Sequence, residues 1–323
     1  VRSNVTAAAI EARPVGRSEL AAPRIALGCG NFGGVGSSVE FFGRGLDEDP
    51  SFAIMDAAWE LGINHFDTAD AYGGGRSETT IGKWLRSRGV LPLLTTKTYN
   101  PMAEGADHGL APERITRQLH ASLERLGVAS VDLYLTHEFD PDVAPALVVE
   151  TLERLRSEGL IRASGVSNYD ARQLRATLDA GQIDAIQNSY SLLARGDELE
   201  LLALCAREGV SYSAYSPLAG GWLTGKYRRG SEFPAGSRMT QRPDVYADFL
   251  RDEVFDSLEA LAGLAATRGI SMAGLSLSWL LANPEVSAIV VGPGSPAQLE
   301  PVREALANPL EPAERESIAR LFA

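Results

Sequence analysis

The chain has 323 residues, 45% hydrophobic and 22% charged, enough apolar material for a large core and a length that α/β barrels reach in one piece. A formal net charge of −12 argues against a nucleic acid as partner, and no apolar run is long enough to cross a bilayer. Two distant cysteines, Cys29 and Cys205, exclude a disulfide framework and have no metal-ligand spacing, so a cytoplasmic protein with no membrane partner and no metal is expected.

Residues 1–12 are polar and Ala-rich and are expected to be frayed, with one barrel over residues 13–323. From there, short apolar runs alternate with amphipathic patterns. "PRIALG" (23–28) predicts a first strand and "SFAIMDAAWELG" the helix behind it. "INHFD" (63–67), "LPLLTTK" (91–97) and "VDLYLTH" (131–137) predict the next three strands, each followed by a helix. The helix over "APERITRQLHASLERLG" stops at Gly127. "IRASGVSN" (161–168), "IDAIQNSY" (183–190), "VSYSAYSPL" (210–218) and "VSAIVVGPG" (286–294) complete eight. Eight strand–helix units without a strand-only block point to an α/β fold, a (β/α)8 TIM barrel with extra helices. Two long loops, 28–48 after the first strand and 217–247 after the seventh, belong on the C-terminal face, where barrels place their chemistry.

The strand ends carry the polar residues. Asp67 closes the second strand, Lys97 the third and His137 the fourth, with Tyr72 in the glycine-rich turn between the first two. A tyrosine hydroxyl, with an ordinary pKa of about 10, is a poor acid at neutral pH unless a cation acidifies it. Lys97 is that cation, Asp67 holds it charged, and His137 directs a substrate oxygen toward the phenol. Together they make a proton donor over a carbonyl. His65 reads as structural and His120 as solvated.

Further polar groups end the later strands: Ser167 and Asn168, then Gln187, then Tyr215. Amides and hydroxyls on one face suit a carboxamide, and Tyr215 offers a flat face to a ring. Gly220 and Lys226 in the second long loop suit a diphosphate, and "VGPGSPAQLE" offers a second anion-friendly corner. Phe32 and Tyr99, with Phe41, Phe42, Phe139 and Trp222, are expected to line an apolar substrate wall.

"GINHFDTADAYGGGRSE", "PLLTTK", "YLTH", "GVSN", "QNSYS", "YSPLAGGWLTGKY" and "VVGPGSPAQL", in this order over nearly the whole chain, resemble the aldo-keto reductase superfamily. The resemblance implies a catalytic tetrad of Asp67, Tyr72, Lys97 and His137. It implies that Gly28 and Cys29 border a nicotinamide whose carboxamide meets Ser167, Asn168 and Gln187, with Tyr215 stacked on the ring. Ser216, Pro217, Leu218, Gly220 and Lys226 would follow the diphosphate, and Gly292, Gly294, Ser295 and Gln298 the adenosine end.

The sequence departs from the family's pattern at that end. Pro301 and Val302 stand where Glu and Asn are frequent, and no cation follows Ser295 until Arg303; Arg228, Arg229, Arg238 and Arg242 of the second long loop are expected to close over the cofactor instead. NADPH is favoured by the resemblance, with NADH as the alternative. The expected activity is hydride transfer between this cofactor and an aldehyde, ketone, sugar or alcohol. The rival expectation is a nicotinamide-binding redox sensor resembling potassium-channel β subunits.

Overall fold

The computed structural model describes residues 10–322. Residues 1–9, most of the segment expected to be frayed, lie outside the described residues. All eight expected barrel strands form and pair in parallel as a closed barrel in chain order. They are β3 (Ile25–Gly28), β4 (His65–Asp67), β5 (Leu93–Thr98), β6 (Val131–Thr136), β7 (Ile161–Ser167), β8 (Ala185–Ser189), β9 (Ser211–Tyr215) and β10 (Val286–Val291). β10 returns to β3, with Val291 opposite Leu27, and so removes the sheet edge.

Helices α1 (Glu48–Glu60), α2 (Arg76–Arg88), α3 (Pro112–Leu126), α4 (Pro145–Ser157), α5 (Ala171–Leu178) and α6 (Leu201–Glu208) follow β3 to β8 in turn. α3 shows the local logic. Pro112 supplies a preset φ at its start, and Ile115, Leu119 and Leu126 are fully buried on one face. Gly127 stops the helix in the left-handed region at φ 71°, where its N–H satisfies the carbonyls of Leu123 and Glu124. β7 contains Gly165 because a Cβ there would run into the Ala185 carbonyl and the Leu135 side chain.

Three features differ from the sequence reading. A hairpin of β1 (Ala12–Pro14) and β2 (Ala21–Pro23) precedes the barrel, so Pro23 belongs to the hairpin and the first barrel strand starts at Ile25. Val15, Leu20 and Ala22 from this hairpin pack on Leu133, Ala163 and Ala185 and close the N-terminal mouth. The first long loop folds on itself through a bridge between Phe32 and Leu46 and a turn at Val39–Phe41. The second holds turns at Ala219–Thr224 and Pro243–Phe249 and the short helix α7 (Arg238–Gln241). After it come α8 (Asp252–Arg268) and α9 (Met272–Leu281), with α10 (Glu300–Ala307) and α11 (Pro312–Ala319) after β10. Among the described residues, no single helix is long and apolar enough to cross a membrane.

Candidate active site

The carboxyl ends of β4, β5 and β6 meet as the sequence requires. Lys97 is fully buried, and its Nζ donates to Asp67 Oδ1 at 2.5 Å and to the Thr68 carbonyl at 2.9 Å. Asp67 Oδ2 accepts from Gln187 Nε2 at 2.8 Å, so both carboxylate oxygens are satisfied. Tyr72 opens a short turn in which Gly73, Gly74 and Gly75 all take positive φ (59°, 67° and 88°) and turn the chain back into α2. This holds the Tyr72 ring 5.2 Å from Lys97 Nζ and 5.5 Å from the His137 ring, at 72° to it. Four residues from three strands and one turn therefore share one point.

Burial sets their ionisation. It works to lower the Lys97 pKa, but Asp67 and Tyr72 outweigh it and hold the ammonium above its ordinary value. Burial raises the Tyr72 pKa, and the opposing pull of Lys97, expected from the sequence to acidify the phenol, does not overcome it. Burial, with the Lys97 charge, pushes His137 down to about 3, so its imidazole is neutral at working pH.

These shifts make stability depend on pH. His137 and His65, the latter pushed down to about 4 mainly by burial, stay neutral in the fold while the unfolded chain protonates them below about 6.5. Their contribution is present above that value and is lost as pH falls toward 4 and then 3. Asp70 acts oppositely. Burial raises it to about 7, so between its unfolded value of 3.8 and 7 it favours the fold at the lower end. Two imidazoles outweigh one carboxyl. Urea unfolding is expected to show lower stability at pH 4.5 than at pH 7, on the order of a few kcal/mol. Equal stability at both values would contradict the assigned burial.

A cavity of about 580 Å³ opens above these groups. Asp67, Tyr72, His137, Gly28, Ser167, Asn168, Gln187 and Tyr215 line it. Asn168 takes a left-handed backbone (φ 60°) and links the strands. Its Nδ2 donates to the His137 carbonyl and to Glu138 Oε1, and its Oδ1 accepts from the Tyr215 hydroxyl at 2.7 Å. Ser167 donates to the Gln187 carbonyl at 2.7 Å. With its amide held by Asp67, Gln187 keeps its Oε1 without a partner among the described residues.

The expected apolar wall is absent from this lining. Phe32 is wholly buried beside Leu46 inside the first long loop, and Tyr99 packs its ring edge-on to His108 at 6.1 Å. Phe139 turns to Tyr169, and Trp222 sits in a cluster with Tyr227, Phe249 and Phe255. Aromatic area is worth more in packed contact than in an open cavity, so local packing took these rings. The lining is instead completed by Ser37, Ser38, Val39, Asn100, Pro101 and Glu138, none of which the sequence reading named, and by Arg242, expected from the sequence as one of the loop cations that close over the cofactor. Glu138 was within reach of that reading, one residue beyond His137. Arg242 reaches the cavity through the fold of residues 217–247. His65 bonds Thr95 Oγ1 at 2.8 Å inside the barrel and His120 is exposed, as expected for both.

The sequence profile of the aldo/keto reductase family matches residues 24–322. The chain belongs to that family. As an aldo-keto reductase it is a nicotinamide-dependent oxidoreductase. It is 33% identical to the NADH-specific methylglyoxal reductase of Escherichia coli (strain K12) over 301 residues, 88% of this chain and 90% of that protein. It is 30% identical to a probable voltage-gated potassium channel subunit beta of Oryza sativa subsp. japonica over 78% of this chain and 80% of that protein. The structure of glycerol dehydrogenase AKR11B4 from Gluconobacter oxydans superposes with a TM-score of 0.82 at 25% identity, covering 97% of this chain and 94% of that one.

In this aldo-keto reductase the remaining expected cofactor residues lie on the same face, outside the cavity lining. Cys29 is buried beneath it, its N–H donating to the Asp67 carbonyl. Ser216 and Ala219 hold left-handed backbones (φ 53° and 47°) after β9, a clustering of strain that functional rims show. Pro217 and Leu218 lie between them, Tyr246 packs on Gly220, and Lys226 folds back on Gly221. After β10, Gly292, Ser295 and Gln298 follow in order, and Gln298 Oε1 accepts from the Gly294 N–H at 2.7 Å. Gln187 Oε1, unpartnered among the described residues, fits the amide N–H of a nicotinamide carboxamide. Gly30 leaves space in front of Tyr72, where a Cβ would touch the ring at 3.4 Å.

Proposed function

We propose that this aldo-keto reductase reduces aldehydes or ketones, sugar-type carbonyls included, with Tyr72 as the proton donor and with NADPH modestly preferred. One observation carries the reading: a buried Lys97–Asp67 pair beneath Tyr72 and a neutral His137, with Asp67, Tyr72 and His137 lining one cavity. Ser167, Asn168 and Gln187 would hold the carboxamide of the cofactor, and Tyr215 its ring. When bound, the nicotinamide supplies the hydride to the carbonyl carbon. Tyr72 gives its phenolic proton to the carbonyl oxygen, so that hydride and proton together make the alcohol. The Lys97 charge beside it lowers the cost of the phenolate left behind, and Asp67 keeps that charge in place. Neutral His137 orients the oxygen with an N–H without competing as an acid.

The preference for NADPH is small because two of its expected cations are engaged and the others are exposed loop arginines. Arg229 is paired with Asp252, Asp256 and Glu259, and Arg303 with Glu300. Arg228, Arg238 and Ser295 remain for a 2′-phosphate, Arg242 lining the cavity itself. One charged hydrogen bond is worth about 1.5–3 kcal/mol, roughly one to two orders of magnitude in affinity. Exposed donors deliver the lower end of that range, and salt weakens them further. The test is cofactor consumption against a panel of carbonyls, with both cofactors titrated at low and high ionic strength. Turnover with NADPH favoured about tenfold at low salt supports the reading. Equal affinities, or tighter NADH throughout as the name of the E. coli relative would have it, overturn the preference. Tight cofactor binding without turnover of any carbonyl favours instead a redox-sensing role, which the likeness to the rice channel subunit brings into view.

A further inference from the structure

A second buried polar chain starts two residues before Tyr72, and the proposed chemistry does not use it. Asp70 is fully buried, and both of its carboxylate oxygens take protein donors: the Ala71 N–H at 2.6 Å and the Thr98 hydroxyl at 2.7 Å. The Thr98 oxygen in turn accepts from Arg114 Nη1 at 2.9 Å. Arg114, buried on α3, also grips both ends of the loop between β5 and α3, at the Asn100 carbonyl (2.8 Å) and the Gly109 carbonyl (3.1 Å). Among the described residues, the one carboxylate within ion-pair distance of Arg114 is the exposed Asp107, 3.8 Å from Nε. One hydroxyl therefore joins a buried carboxylate beside the Tyr72 turn to a buried guanidinium that holds a wall of the cavity, where Asn100 and Pro101 line it.

From this geometry we infer that Asp70 is a positioning residue: it fixes the backbone that presents Tyr72 and, through Thr98 and Arg114, the loop that walls the cavity. Its part in catalysis rests on the proposed role of Tyr72. Thr98 has one hydroxyl hydrogen to give, and the guanidinium beside it only donates, so that hydrogen goes to Asp70. The donors run one way, from Arg114 to Thr98 to Asp70, and the chain needs an acceptor at its end. The main chain ties the same residues to the other members of the site. The Asp70 N–H donates to the Lys97 carbonyl and the His137 N–H to the Thr98 carbonyl, each at 2.9 Å. Asp70→Asn keeps the size of the side chain but replaces one acceptor by a donor. Whichever way that amide turns, one donor then faces another, and the chain breaks without leaving a cavity.

The experiment measures kcat, cofactor affinity and amide hydrogen exchange in the wild type, Asp70→Asn, Thr98→Val, Thr98→Ser and the double variant of the first two. It is run at about pH 8, above the value of about 7 to which burial raises Asp70, so that the wild-type carboxylate is the acceptor. Asp70→Asn and Thr98→Val are each expected to lose roughly 10- to 100-fold in kcat, the scale of a small misplacement, with cofactor affinity within about threefold of wild type. Thr98→Ser keeps the hydroxyl and stays near wild type. The double variant is no worse than the weaker single, because both substitutions break one chain. An unchanged kcat in Asp70→Asn, a Thr98→Ser as slow as Thr98→Val, or losses that multiply in the double variant overturns the inference. So does a cofactor affinity that falls as far as kcat, the mark of general damage. If Thr98→Val does not fold, Asp70→Asn and Thr98→Ser decide. If the wild type reduces no carbonyl, or Tyr72→Phe keeps its turnover, the reading of Tyr72 fails and hydrogen exchange decides the coupling. Faster exchange in Asp70→Asn over both 71–75 and 99–110 supports it, and unchanged exchange over 99–110 overturns it.

Discussion

Tyr72→Phe is expected to keep cofactor affinity and to lose roughly two to four orders of magnitude in turnover, the usual worth of general acid–base catalysis. The phenol is the one group in the cavity that combines a transferable proton with a buried cation at 5.2 Å from its ring. His137 does not replace it, because an imidazole held at about 3 has no proton to spare at neutral pH. The phenylalanine ring fills the same space, so the contacts to Gly30 and His137 survive and the loss is confined to the oxygen. Steady-state turnover beside a cofactor titration measures both quantities. Near-normal turnover in the variant would remove Tyr72 from the chemistry.

Lys97→Met is expected to cost both activity and stability. The side chain keeps its length but loses its charge, leaving Asp67 buried with Gln187 as its remaining side-chain donor. Removing one partner of a buried ion pair costs about 3–5 kcal/mol, because the other charge is stranded. Adding Asp67→Asn to Lys97→Met should recover much of the stability and none of the turnover, which separates the structural role of the pair from its catalytic one. Burial already raises the Tyr72 pKa, and Lys97 is the largest influence opposing it. Without Lys97 the phenol ionises still later, so the pH optimum of any residual alcohol oxidation should move upward. Thermal unfolding and a pH–rate profile check the two effects. An unchanged profile would make Lys97 purely structural.

Much of this site was legible before folding because strand ends are legible. An apolar run that stops on Asp67, Lys97 or His137 declares both the strand and the face on which its last residue emerges, and eight such runs in alternation with helices leave one closed arrangement. The helix stops were legible for the same local reason, as Gly127 shows. The hairpin β1–β2 was not, since ARP and AAP form no apolar run to declare a strand.

The sequence by itself determined the barrel, the four residues at its floor and the order of the polar strand ends, all of which depend on spacing along one stretch of chain. Only the tertiary structure decided the cavity wall. Phe32, Tyr99 and Trp222 found packed partners and left it, while Ser37, Asn100, Glu138 and Arg242 from four separate segments came to line it. Which way a loop side chain points follows from competition among neighbours distant in sequence, and that competition is settled when the loops close over the barrel.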